Sequence, residues 1–178
     1  RPAIDSDGVT LAGPGNSIVV SGSFAYVAIG GSSVELQIVD LSNPSNLTIV
    51  GQADVNGQAA RDLFLNGSAT RAYLVTNVSA TQREFFIIDT GTKSGDRPTL
   101  GSYDTNGMSP RAIEIVPGGR AIIVGTSGEE YQVLNISDES NPVRCGGMQV
   151  DVGINDSASI IESDNDAFSY ILTRDENT

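Results

Sequence analysis

The sequence has no histidine and no tryptophan, and it carries a single cysteine, Cys145, and a single lysine, Lys93. The missing imidazole excludes His-based acid–base catalysis, His metal ligands and a histidine pH switch. One cysteine excludes an intrachain disulfide and thiolate zinc sites. Cations are also few: 10 Lys and Arg stand against 22 Asp and Glu, a net charge of −12. Phosphate backbones need clustered Lys and Arg, so a nucleic-acid surface is not expected. No apolar run approaches the ~20 residues that cross a bilayer as a helix. Without a base to activate Ser or Thr, no nucleophilic triad or dyad is expected, and Lys93 sits in what reads as a flexible Gly/Ser/Thr loop.

What is present suits one globular domain: 178 residues, 39% of them hydrophobic. The chain begins Arg1-Pro2-Ala3-Ile4, which is no signal peptide, and reads as a mature, processed or trimmed product. Its acidic surface, rich in Ser, Thr, Asn and Gly, points to an extracellular or cell-surface protein. Five Asn-x-Ser/Thr triplets, at Asn46, Asn66, Asn77, Asn135 and Asn155, are candidate glycosylation sites in that setting.

An internal repeat is the main signal. Phe24-Ala25-Tyr26-Val27-Ala28, Arg71-Ala72-Tyr73-Leu74-Val75, Arg120-Ala121-Ile122-Ile123-Val124 and Phe168-Ser169-Tyr170-Ile171-Leu172 recur at steps of 47, 49 and 48 residues. Each is preceded by an apolar run: Ser17–Val20, Asp62–Leu65, Ala112–Val116 and Ser159–Ile161. Leu36–Asp40, Phe85–Asp89 and Gln132–Asn135 follow, and Thr48–Gly51, Pro98–Gly101 and Pro142–Gly146 close the first three units. These are strand signals without a helical period. Asn66-Gly67, Asn106-Gly107, Asn56-Gly57 and Pro117-Gly118-Gly119 read as tight turns that tolerate positive φ. Four strands per ~48 residues predict an all-β chain of β-propeller architecture, built of four-stranded antiparallel blades. The repeats run approximately 14–57, 58–107 and 108–153, with an incomplete 154–178. Blades packed on both faces explain the continuous apolar runs, and Tyr26, Tyr73 and Tyr170 read as packing residues.

Leu36-Gln37-Ile38-Val39-Asp40-Leu41-Ser42-Asn43-Pro44, followed by Ile49-Val50-Gly51, resembles the LVIVD repeat of secreted and surface β-propeller proteins. The resemblance weakens along the chain. Unit two keeps Ala72–Val75 and Phe86–Asp89, while unit three has Asn135 for the Asp and retains Ser140-Asn141-Pro142. It implies a propeller fold and brings no shared catalytic residues. About three and a half repeats leave a blade to complete. Three completions are open: residues 1–15, whose Val9–Gly13 resembles an outer strand; the rest of a longer propeller; or a second copy. The last two rank first, since one strand cannot replace two.

Candidate sites are sparse. Asp54-Val55-Asn56-Gly57 and Asp104-Thr105-Asn106-Gly107 occupy equivalent places, so Asp54, Asn56, Asp104 and Asn106 are weak Ca²⁺ candidates, with Asx turns as the simpler reading. Asp164 and Asp166, in an oxygen-rich run, join them, as does Asp5-Ser6-Asp7-Gly8; no other cofactor is expected. Arg61 and Arg111 precede inner strands and are candidate anion-binding residues at a channel mouth, or partners of the Asp54 and Asp104 loops. Asp40, Asp89 and Asn135 could mimic paired catalytic carboxylates, but as repeat residues they read as turn formers. Glu129 and Glu130 read as a solvated hairpin tip. Cys145, near the outer edge of blade three, reads as a buried inert thiol, with an intermolecular thiol as the alternative in an external protein. The sequence thus points to a non-enzymatic extracellular or surface module that binds protein, another copy or the rest of a propeller, with no membrane span. The alternatives are a structural subunit assembling through an open blade edge, and a carboxylate- or metal-dependent lyase or hydrolase.

Overall fold

Runs rich in β-branched and aromatic residues, cut by Gly, Asn and Pro, become strands because each can bury both faces between neighbouring sheets. The computed structural model describes residues 8–31, 33–149, 157–162 and 169–173, and no helix occurs among them. The first sheet contains β1 (Gly15–Ser21), β2 (Phe24–Ile29), β3 (Leu36–Asp40) and β4 (Thr48–Ala53). The second contains β5 (Ala60–Leu65), β6 (Arg71–Thr76), β7 (Phe85–Asp89) and β9 (Thr99–Tyr103). The third contains β10 (Ser109–Val116), β11 (Arg120–Thr126), β12 (Tyr131–Asn135) and β13 (Val143–Met148). A hairpin of β14 (Ser157–Glu162) and β15 (Ser169–Thr173) follows.

All these ladders are antiparallel. The first sheet departs from the expected four strands. A two-residue strand, β8 (Gly95–Asp96), leaves the β7–β9 connection and pairs in parallel with β4, making five. Lys93 lies in that connection and is held there. Its ammonium donates to the carbonyls of Ala69 (2.5 Å) and Thr90 (2.6 Å) and stands 5.5 Å from the centroid of the Tyr26 ring. The expected flexible loop is therefore a clasp on the preceding blade.

The sheets stack like blades, with β1, β5, β10 and β14 as successive inner neighbours. Side-chain alternation divides each blade between two cores. Tyr26, Ala28, Leu36 and Ile38 pack against Leu63, Ala72, Leu74, Phe86 and Ile88 of blade two. Tyr73, Val75, Phe85 and Ile87 pack against Ile113, Ala121, Ile123 and Leu134 of blade three. Ala25, Val27, Ile29 and Val39 face away from blade two, where Val9 and Leu11 partly cover them. The Val9–Gly13 segment thus supplies apolar cover but is not a strand. Tyr26 and Tyr73 are buried as expected, whereas Tyr170 is 58% exposed on the last hairpin.

Two irregularities repeat. Each inner strand carries one extra residue against its partner: Asn16, Arg61, Arg111 and Ala158. Each outer strand does the same at Val50, Leu100 and Cys145. Such bulges increase local twist and re-aim side chains. Positive φ falls on Gly57, Asn106, Gly107, Gly118 and Gly119, as the turn residues predict. At Asn66-Gly67 it falls instead on Ala69, because the Asn66 carboxamide caps the turn by accepting from the Thr70 and Arg71 amides.

Candidate functional site

The loops that enter the inner strands and those that join second to third strands meet through three equivalent glutamates. Glu35, Glu84 and Glu130 stand just before the third strand of their blades. Each backbone carbonyl accepts from the end of the second strand, through Ile29, Thr76 and Gly125. Glu84 is fully buried. Its Oε1 accepts from the Ser79 amide, and its Oε2 from the Thr105 amide and hydroxyl, all at 3.0 Å. Glu35 is also fully buried: Oε2 accepts from the Val55 amide at 2.7 Å, the Asn56 and Gly57 amides also favour the charged carboxylate, and Oε1 has no hydrogen-bond partner. Burial raises the Glu35 pKa above the ordinary carboxylate value, and the nearby Asp54 charge pushes the same way. Glu130 accepts from Gln149 at 2.9 Å with both oxygens. The sequence reading missed Glu35 and Glu84. Their repeated place before Leu36 and Phe85 was the available signal, but charge in an apolar strand pattern reads as a loop end.

These glutamates explain the Asp-x-Asn-Gly loops. Asn56 is buried and bonds inward, donating to Thr76 Oγ1 (2.9 Å) and the Arg83 carbonyl (2.8 Å) while accepting from the Gln58 amide (3.0 Å). Asp104 accepts from the Asn106 amide at 2.8 Å, and Asn106 donates to the Asp104 carbonyl at 3.1 Å. Asn56 and Asp104 thus serve as Asx-turn acceptors, and both loops hold Asx turns. Among the described residues no group of three or more acidic or cysteine side chains is placed to hold a metal ion. Asp5, Asp7, Asn155, Asp164 and Asp166 lie outside the described residues.

Arg61 and Arg111 occupy the inner-strand bulges, with Asn16 as the third equivalent residue. Arg61 Nε donates to Asn77 Oδ1, and Asn16 donates to the Ala60 carbonyl at 2.6 Å. Between them Asp62 joins three inner strands, accepting from Ser17 Oγ at 2.8 Å and from the Ile113 amide at 3.1 Å. Arg61 and Arg111 therefore share one structural position, beside a carboxylate that ties neighbouring blades.

At the opposite turns, Asp40, Asp89 and Asn135 accept from the amides of Ser42 (2.8 Å), Gly91 (2.9 Å) and Ser137 (3.0 Å). The Ser42 amide lowers the Asp40 pKa. Arg71 opens the second strand of blade two and bridges blades. It reaches Asp89 at 3.1 Å and, in the β12–β13 turn of blade three, Glu139 at 2.7 Å. A shallow cleft of about 630 Å³ lies there, lined by Arg71, Leu100 and Ile136–Ser140. Glu129 is paired with Arg144 at 2.5 Å rather than merely solvated. Among the sequons Asn46 is exposed, whereas Asn66, Asn77 and Asn135 are half-buried and engaged as acceptors.

The described molecule also presents apolar surface at its two ends. On β1, Ile18 is 62% and Val20 58% exposed, beside an apolar pocket of about 260 Å³ lined by Leu11, Ile18 and Val27. On β13, Val143 is 45% and Met148 55% exposed. Cys145 lies exposed between them rather than buried as expected, since no described blade covers this outer strand, and Arg120 donates to its Sγ at 3.2 Å.

Residues 12–55, which span the four antiparallel strands of blade one, match the family model of the LVIVD repeat. No curated protein matches the chain by sequence. Among solved structures it is similar to the periplasmic gluconolactonase of Pseudomonas aeruginosa: TM-score 0.63, 13% identity, 75% of this chain and 39% of that one. It is similar to a candidate 6-phosphogluconolactonase of Bacteroides uniformis: TM-score 0.67, 12% identity, 89% of this chain and 49% of that one. A protein of unknown function from Desulfotomaculum acetoxidans has TM-score 0.50 and 14% identity, over 93% of this chain and 64% of that one. The chain thus spans less than half the length of the two lactonase-named proteins. The shared property is the fold, a β-propeller repeat architecture.

Proposed function

We propose that this chain is a non-enzymatic β-propeller interaction module, working outside the cell or at its surface, that engages protein through its blade faces. The observation that carries this reading is the apolar exposure at both ends of the blade stack: Ile18 and Val20 at one, Val143, Met148 and Tyr170 at the other. Equivalent faces inside the stack are buried in continuous cores, so the same surface chemistry is provided where no described blade covers it. Acidic charge keeps the rest of the molecule soluble and limits non-specific association.

The test is native mass, by light scattering or native mass spectrometry. The expected result is a species heavier than the 18.6 kDa chain. It should revert to 18.6 kDa when Ile18 and Val20 are both changed to Glu. A species of 18.6 kDa across micromolar concentrations would remove self-association as the partner interaction. A carboxylate enzyme is the second reading, favoured by the unpartnered buried oxygen of Glu35. Turnover of a sugar lactone that Glu35→Gln abolishes would place it above the first.

A further inference from the structure

Two blade junctions are complete, and they follow one rule. The motif glycine of each outer strand lies under a carbonyl of the next blade's connection between third and fourth strands. A Cβ on Gly51 would stand 2.1 Å from the Lys93 carbonyl oxygen, and one on Gly101 1.9 Å from that of Glu139. No side chain fits at such distances, so both glycines are required by close approach. Gly146 holds the same register on blade three, opposite Val133 as Gly51 is opposite Ile38 and Gly101 opposite Ile87. Yet a Cβ there would meet only the Val133 side chain, at 3.6 Å, and its φ lies outside the left-handed region. Nothing among the described residues requires a glycine at this position.

A second correspondence concerns charge. Arg71 and Arg120 both open their second strands, opposite Asp89 and Asn135. Arg71 takes the Glu139 carboxylate from the turn of the following blade. Arg120 is exposed and bonds to Cys145 Sγ. A third concerns backbone. In blades one to three the second strand pairs with a third strand, whereas β15 pairs with β14 alone among the described residues. The β14 strand lies against β10 and β11, leaving Val143 and Met148 of β13 exposed.

We infer that β13, Arg120 and the edge of β15 that no described strand pairs form a docking site for a β-hairpin of the same repeat type whose turn carries a carboxylate. Its first strand extends the ladder of β15. Its turn places a carbonyl on Gly146 and the carboxylate on Arg120, and its apolar face covers Val143, Cys145 and Met148. The inference rests on the proposed interaction role and specifies the partner's chemistry.

The test appends a copy of residues 131–148, with its cysteine changed to Ser, directly after Thr178 of the full chain. Alkylation of Cys145 by a maleimide is then timed in the native state. The expected result is alkylation about tenfold slower than in the parent chain. That protection should disappear when the appended glutamate equivalent to Glu139 becomes Lys, and when Gly146→Val is introduced. Gly146→Val leaves the parent chain's melting temperature unchanged, since its Cβ has room. Unchanged alkylation in the fusion would overturn the inference, as would a dimeric parent chain in which Cys145 is already protected, for a second copy would then be the occupant. A dimer that leaves Cys145 reactive, joined to an unprotected fusion, would overturn the hairpin while sparing the broader interaction role.

Discussion

Glu35 shows how one repeated residue is used differently in successive blades. Glu84 fills both carboxylate oxygens with donors, whereas Glu35 leaves Oε1 buried without one. Desolvation dominates, so the folded state holds the Glu35 proton more tightly than the unfolded chain does. Its contribution to stability is therefore fully present below the ordinary carboxylate value and is lost as pH rises through the raised one. We expect the stability difference between wild type and Glu35→Gln, measured by urea unfolding at several pH values, to move against wild type as pH rises across that window. A difference independent of pH would show that burial does not move the Glu35 pKa away from its unfolded value. The exposed Asp40 and Asp138 have lowered pKa values because local Ser amides and hydroxyls stabilise their charge. Both lie outside this comparison because the two proteins share them.

At the scale of elements, β8 is the device that has no counterpart in the repeat pattern. It occupies part of the β4 edge, which blunts a strand edge that would otherwise invite pairing. The Arg97 amide continues the pairing, donating to the Gln52 carbonyl at 2.7 Å. Its anchor is Lys93, whose ammonium serves two carbonyls and the Tyr26 ring. We expect Lys93→Met to destabilise the chain by about 2 kcal/mol, because charge-assisted bonds are lost from a part-buried group. Amide exchange at Arg97 should accelerate more than exchange in β5–β7. Uniform acceleration would mean that Lys93 supports the whole blade rather than the clasp.

At the scale of the molecule, stability comes from blades meeting face to face, and the motif glycines set how closely they meet. Gly51 and Gly101 each lie under a neighbour's backbone, which cannot move aside without opening the junction. We expect Gly51→Val and Gly101→Val each to cost about 3 kcal/mol by denaturant unfolding, the range of overpacked cores. Gly146→Val should fall within about 0.5 kcal/mol of wild type, the range of surface changes. Equal losses at all three positions would mean that an intrinsic strand preference, not the junction, selects glycine. The lactonase-named neighbours share this stacking at 12–13% identity, so the architecture tolerates nearly complete replacement of its side chains.

The strand content, the period near 48 residues and the Asx turns at Asp40, Asp89 and Asn135 were legible in the sequence. Each follows from local chemistry: β-branched runs favour pleated strands, and an Asx oxygen meets the amide two residues ahead. The turn reading of Asn56 and Asp104 was equally local. The places of Glu35, Glu84, Asp62 and Lys93 were decided only by tertiary structure. Each has at least one partner 20 or more residues away or in another blade, and no local preference signals a carboxylate that will be desolvated by packing. The glycines mark the boundary between the two kinds of information. The repeat identified Gly51, Gly101 and Gly146 as equivalent, but only the packed blades supplied the reason: a neighbour's carbonyl stands over the first two, where no Cβ fits, and over the third there is room.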